Sequence, residues 1–489
     1  MKIFNYIYAI ALVLVFGACQ TFDELQLDPN RATEVNPDLI LTNLETSTMP
    51  QISLSSALAV RQMVNIDGAS TSQYYGWQRS SFGAYEQLRQ VYKMEQEAQR
   101  LEQENYLALA KFFRSFIIIN LTQTFGDVPY SEAMAGFEEN YTPVYDRQKD
   151  IYAKVVKELK EANEELDANK GEIAGDVVYG GDILQWKKMI NSFRLRILIS
   201  LSHKEGWSEV DVEGQFKEMV ENPDTYPIFT DNADNFALTY HDLEGNRYPL
   251  FNNNGIQTAY YMEESFINHL KDRQDPRLFK IAEPDQKSQD AGLEPTDFDA
   301  YSGLKGSETQ GENSNRINIL KEGSQIHPRY YQEATNEPSV VLSYAEVEFT
   351  LAEAAARGWI AADAEVHYQK GIKASMEFYG IEAAAITAYQ NQAEVMYDAN
   401  KGLEMILTQK YLAMFLNSGW EPFYNQRRTG IPEFDTSGGG MMNNSRIPKR
   451  WMYPQEELNL NTTHAVEAIQ RQFDGNDHIN AVMWILKPE

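Results

Sequence analysis

The stretch from residue 105 to residue 129, NYLALAKFFRSFIIINLTQTFGDVP, constrains the fold more than any other part of this chain. Leu107, Phe113, Ile117 and Leu121 fall near one stripe at helical spacing, and Phe112, Phe116 and Ile119 widen it around the axis. A helix this apolar must be covered on most sides by other elements. Gly126 and Pro129 follow in the order that ends a helix.

Further stretches repeat the helical signal. In 146–167, Ile151, Val155, Leu159 and Ala162 face one way and charges the other, with Asp146 placed to cap the start. Residues 182–204, 339–360, 364–380 and 402–420 continue the series. The helices come in pairs at a spacing compatible with tetratricopeptide-like hairpins. This predicts an all-α body. Residues 222–340 differ: they are rich in Asn, Asp, Gly, Pro and Tyr and lack a period, so they read as an irregular insert carrying a functional surface.

The N-terminus reads as an address. Lys2, the apolar run from Ile7 to Phe16 and the small residues Gly17 and Ala18 have the layout of a secretory signal peptide. The run is too short for the roughly 20 residues of a membrane-spanning helix. Cys19 is the only cysteine, so no disulfide can form within the chain. Its place directly after small residues resembles a lipoprotein cleavage box. The expectation is cleavage before Cys19, lipidation of Cys19, an acidic tether over 19–37 that includes Asp23 and Glu24, and one folded domain over 38–489. Acyl chains on one residue give stable anchoring where a single chain would not.

Composition narrows the partners. With 43 Lys and Arg against 71 Asp and Glu, the net charge is −28, which repels a phosphate backbone and excludes nucleic acid as an expected partner. Reactive motifs are missing as well. There is no phosphate-binding G-x-x-x-x-G-K-[ST] and no G-x-S-x-G. The seven histidines are scattered, so neither a metal site nor a cofactor is expected. Glu346 and Glu353, on one helix face, read as a solvated or salt-bridged pair rather than an acid–base dyad.

Five segments in order resemble the SusD/RagB family of nutrient-binding outer-membrane lipoproteins: LDPNRATEVNPDLILT, FGDVPYSEAM, VLSYAEVEFTLAEAAARGWI, GWEPFYNQRRTGIPEF and RIPKRWMYPQEELNLN. The resemblance implies tetratricopeptide-like helical pairs with a loop-rich ligand face. It also implies a function without catalysis: capture of an oligosaccharide or peptide and delivery to a SusC-type TonB-dependent transporter, from a lipid-anchored position on the outer membrane. The segments themselves read as scaffold. Arg427 and Arg428, beside Trp420, Phe423 and Tyr424, are expected to stack on rings and bond loop carbonyls.

Sugar-binding faces combine exposed rings with amide and carboxylate side chains. NIDGASTSQYYGWQRS has that mixture, making Asp67, Tyr74, Tyr75, Trp77 and Gln78 the first ligand candidates, with Tyr248 and Asn253 of the insert second. Two other functions compete: a lipid-anchored helical glycosidase, which needs a carboxylate pair in a cleft, and a helical-repeat scaffold that binds only proteins.

Overall fold

The computed structural model describes residues 34–488. The signal peptide, Cys19 and most of the predicted tether lie outside the described residues.

Ten helices form the frame: α1 (Pro37–Thr48), α2 (Tyr85–Arg100), α3 (Glu104–Phe125), α4 (Gln148–Glu165), α5 (Ile183–Ser200), α6 (Tyr344–Ala356), α7 (Ala364–Phe378), α8 (Gly402–Ala413), α9 (Glu421–Thr429) and α10 (Thr462–Phe473). α2, α3, α4 and α5 pack as successive neighbours, and α6 packs against both α7 and α8. Short connections between long helices produce antiparallel hairpins. α5 also packs against α6, which joins the two helical halves.

α3 is the central element. Phe112, Phe113, Ile118 and Leu109 are fully buried, and Gly126 ends the helix at φ 95°, a backbone conformation that glycine adopts without strain. α4 buries Ile151, Val155, Leu159 and Ala162, the face its pattern predicts. Asp146 does not cap it. Its Oδ2 accepts the backbone N–H groups of Tyr130 (2.8 Å) and Ser131 (2.9 Å), and Arg147 stands at the cap position without a side-chain bond. The carboxylate is drawn to the preceding loop, where two N–H groups need an acceptor.

The stretch 222–340 has more regular structure than its composition suggests. Besides loops it holds short helices such as Asn254–Ala259 and Glu264–Asp272, and three of four short strands: β1 (Met63–Asn65), β2 (Phe236–Leu238), β3 (Tyr260–Met262) and β4 (Ser339–Leu342). β1 pairs antiparallel with β3, Val64 opposite Tyr261, and β2 pairs antiparallel with β4 across a bulge between Phe236 and Ala237. Each ladder ties the long connection back to a helical half. Among the described residues, no helix is long and apolar enough to cross a membrane.

Candidate functional site

The ligand candidates named from sequence divide by burial. Trp77 is 5% exposed. Its ring stacks on Trp451 at 4.7 Å and 9°, meets Phe423 edge-on at 5.4 Å and Trp420 at 6.0 Å, and its Nε1–H donates to the Arg450 carbonyl at 3.1 Å. Tyr75 is fully buried, with Arg61 4.6 Å above its ring and its hydroxyl donating to the Ala59 carbonyl. Tyr74 and Tyr248 are buried too. These four are corrected to core residues, because no ring face is left for a sugar. The polar break around Trp77 suggested a surface, but Trp420, Phe423 and Trp451, far away in sequence, cover it.

Asn253 is also structural: its Oδ1 accepts the Ile256 N–H and caps the helix Asn254–Ala259. Only Asp67 and Gln78 of the seven keep exposed side chains.

An open recess of about 310 Å³ lies instead between α2, α3, α4 and the loop 126–147. α2 supplies Tyr92 and Glu95, α3 supplies Arg114, the loop supplies Tyr130, Ser131 and Met134, and α4 supplies Lys154 and Glu158. At its edge the Phe137 ring stacks on Tyr92 with centroids 5.2 Å apart and planes 14° from parallel. Phe137 is 61% exposed and Tyr141, on the same loop, 76%. Water covers most of both rings, the arrangement the sequence reading sought around Trp77.

The loop that presents Phe137 is held by polar contacts. Asp146 takes two of its N–H groups, as above. Glu132 Oε2 accepts from Val144 N and Asn140 Nδ2, both at 3.1 Å. Asp127 Oδ1 accepts the Gln148 N–H at 2.8 Å, and its Oδ2 accepts two bonds from Arg471, at 2.9 and 2.6 Å. The FGDVPYSEAM segment therefore builds one wall of the recess.

Arg114 organises the floor. Its Nη1 donates to Glu95 Oε2 at 2.7 Å and its Nε lies 3.4 Å from Glu158 Oε2. The Tyr130 hydroxyl donates to that same Glu158 oxygen at 2.5 Å, and Lys154 Nζ sits 4.0 Å from the Tyr130 ring centre. Burial disfavours the Arg114 charge, but Glu158 and Glu95 outweigh it and raise its pKa above the ordinary value. Burial, with the Glu158 charge added, pushes the Tyr130 hydroxyl well above the ordinary phenol range, so it stays a donor. The recess thus offers stacking rings at its mouth and fixed donors and acceptors at its base.

Sequence reading missed this site for an identifiable reason. Tyr92 lies in a helix with a polar outer face, and Phe137 in an acidic loop; nothing local shows that a turn of chain brings the two rings parallel. Among the described residues no group of His, Cys, Asp and Glu could hold a metal.

The model of the SusD-like family described as "Starch-binding associating with outer membrane" matches residues 29–454. The chain belongs to the SusD-like family. The family associates with the outer membrane, and its members are nutrient- and carbohydrate-binding proteins. A SusD homolog from Bacteroides fragilis is 37% identical over 93% of this chain and 100% of its own, with a TM-score of 0.86. A second from the same species is 31% identical over 93% of this SusD-like chain and 100% of its own, TM-score 0.87. A chitin-binding protein is 28% identical over 92% of this chain and 100% of its own, TM-score 0.77. No curated protein matches the chain.

Proposed function

We propose that this SusD-like protein captures a neutral oligosaccharide at the cell surface and passes it, chemically unchanged, to a SusC-type TonB-dependent transporter. The observation that carries the reading is the stacked pair Tyr92–Phe137 at the mouth of a polar recess. Sugar C–H faces pack on such rings, and hydroxyls would bond Glu95, Arg114 and Lys154. The family description names starch and one relative binds chitin, so glucose or N-acetylglucosamine oligomers are the first ligands to try. The lipid anchor at Cys19 belongs to the same proposal, as does the lid-like docking on the transporter.

Hydrolysis is the weaker alternative. A glycosidase needs one carboxyl free to protonate a leaving group and another to act as base or nucleophile. Glu95 and Glu158 are both engaged by Arg114, and Glu158 also accepts from Tyr130.

Calorimetric titration with malto- and chito-oligosaccharides tests the capture, and chain-length analysis of the sugar after long incubation tests the lack of turnover. Saturable binding with intact sugar supports the proposal. Shortened chains would make the protein a hydrolase, and no binding across both panels would remove the neutral-saccharide reading. Recovery of a large β-barrel protein with it from detergent-solubilised membranes tests the transporter partner.

A further inference from the structure

Three adjoining recesses follow the C-terminal segment, of about 460, 460 and 290 Å³. The first two share Arg446, Asn480 and Val482 as wall, and the first and third share Gln472 and Lys487. They adjoin one another through these shared walls as one groove lining, and the third borders the same loop 126–147 that walls the Tyr92 recess.

Its charge is opposite to that of the molecule. Arg147, Lys149, Arg446, Lys449, Arg471 and Lys487 line it, against Asp127, Glu433 and Asp474. Asp127 is already taken by Arg471. Lys149 reaches only Asp150, at 3.8 Å. Arg147, Arg446, Lys449 and Lys487 make no ion pair with any carboxylate among the described residues; Lys487 Nζ has only the Gln472 carbonyl at 3.4 Å. In a chain with 71 acids to 43 bases, these four cations outnumber the two groove carboxylates, Glu433 and Asp474, that likewise lack an ion pair among the described residues, so the groove is net positive. A groove with an excess of one sign of charge draws in counter-charge.

The groove is also built. Asn443, Asn444 and Ser445 run through the left-handed region at φ 55°, 52° and 57°, a conformation that costs energy outside glycine and recurs at ligand sites. The Asn443 and Asn480 amides exchange bonds at 2.8 and 2.6 Å, and Asn443 Nδ2 also donates to the Arg446 carbonyl at 2.8 Å, which holds the turn that carries Arg446. Burial, with Arg427 nearby, lowers the Lys449 pKa, a strain that an anion would relieve.

We propose that this groove binds an acidic oligosaccharide, with its uronate carboxylates or sulfate esters held by Arg446, Lys449, Lys487 and Arg147. The inference rests on the saccharide-capture reading and adds a second, anionic subsite to it. Membrane phosphates are the less suitable source of the same charge. Glu34, where the described chain begins, pairs with Arg100 at 3.3 Å, beside the start of α3. The groove lies past the other end of α3, whose 22 residues span about 33 Å at 1.5 Å per residue. The 15 residues from Cys19 to Glu34 reach about 50 Å only when fully extended, so a lipid-anchored chain would bring a bilayer to the groove only with its tether largely stretched.

The test is titration of the full chain at low salt with oligogalacturonate, with a sulfated chondroitin oligosaccharide and with phosphatidylglycerol vesicles, using wild type and the double variant R446Q/K487Q. Both side chains are exposed, so folding should be untouched. The expected result is binding of at least one acidic sugar, weakened tenfold or more in the variant and suppressed by salt, as screened charge pairs are, with neutral-sugar binding unchanged. Acidic-sugar binding equal in the two proteins, or none in wild type, would overturn the proposal. Vesicle binding without acidic-sugar binding would overturn it too and reassign the groove to lipid headgroups. The neutral panel tests the Tyr92 recess separately, so failure of the groove and failure of the saccharide-capture reading are told apart.

Discussion

The Arg428 guanidinium grips the Glu353 carboxylate through two bonds, Nη1–Oε1 at 2.6 Å and Nη2–Oε2 at 2.9 Å, with both side chains buried. Ser202 Oγ and Asn425 Oδ1 take the remaining hydrogens of those two nitrogens, at 2.8 and 3.1 Å. The pair joins α6 to α9. It thereby links the YAEVEFTLAEAAARGW and GWEPFYNQRRTGIPEF segments, which the sequence shows only as separate fingerprints. Removing Arg428 leaves the buried Glu353 carboxylate with Arg357, at 2.9 Å, as its one remaining ion-pair partner, and breaking such a buried pair costs up to about 3–5 kcal/mol. Arg428→Met is expected to lower stability by that amount in urea unfolding, and Arg428→Met with Glu353→Leu by clearly less.

Acid should weaken the same contact. Burial works to raise the Glu353 pKa, but Arg428, Arg357 and Lys410 outweigh it and hold the carboxyl at about 2, against an ordinary 4.5. A carboxyl depressed on folding stabilises the native state above its unfolded pKa and loses that contribution as pH falls toward the folded one. Stability should therefore drop between about pH 4.5 and about pH 2, and Glu353→Gln should flatten that part of the unfolding profile.

Glu45 titrates in the opposite sense. Burial first, and the Asp176 charge second, raise its pKa to about 9. Its Oε2 accepts the Val177 N–H at 2.8 Å, while Oε1 is buried with no partner. A carboxyl raised on folding contributes fully below its unfolded pKa, and the contribution fades as pH climbs toward about 9. Glu45→Gln, neutral at every pH, should gain stability relative to wild type at pH 8 compared with pH 5. At 1.36 kcal/mol per pKa unit the difference is on the order of a few kcal/mol. Equal ΔΔG at the two pH values would contradict a protonated Glu45.

Trp77→Ala is expected to destabilise by about 3–5 kcal/mol, the cost of emptying a buried tryptophan site. It should leave sugar affinity intact at a temperature where the variant is folded. A variant with an unchanged melting temperature would contradict the Trp420–Phe423–Trp451 cage.

The helical frame was legible in the sequence because each long helix carries its own period: α3 through its all-round apolar run, α4 through Ile151, Val155, Leu159 and Ala162. The stacking of Arg427 on Tyr424 was legible as well, and the ring lies 4.5 Å from the guanidinium carbon. What sequence could not show were contacts made over long separations. Trp77 reads as exposed until residues 420–451 cover it, and the sequence leaves Glu346 and Glu353 as either solvated or salt-bridged until Arg196 and Arg428, from other helices, are seen to bridge and bury them. The recess is hidden for the same reason, since its rings sit in stretches that look merely polar. The lipid anchor and most of the tether, by contrast, rest on local sequence alone and lie outside the described residues, while Pro37, the last tether residue by that reading, already begins α1.

The most direct measurement is the affinity of Phe137→Ala and Tyr92→Ala for a neutral oligosaccharide bound by wild type, taken with the melting temperature of each. Exposed Phe137 contributes little to the core and, as a stacking anchor, more than 1 kcal/mol to a ligand. If the recess is the capture site, affinity falls roughly tenfold, since about 1.4 kcal/mol is one decade, while the Phe137→Ala melt stays within a degree or two of wild type. Wild-type affinity in both variants would contradict the site outright.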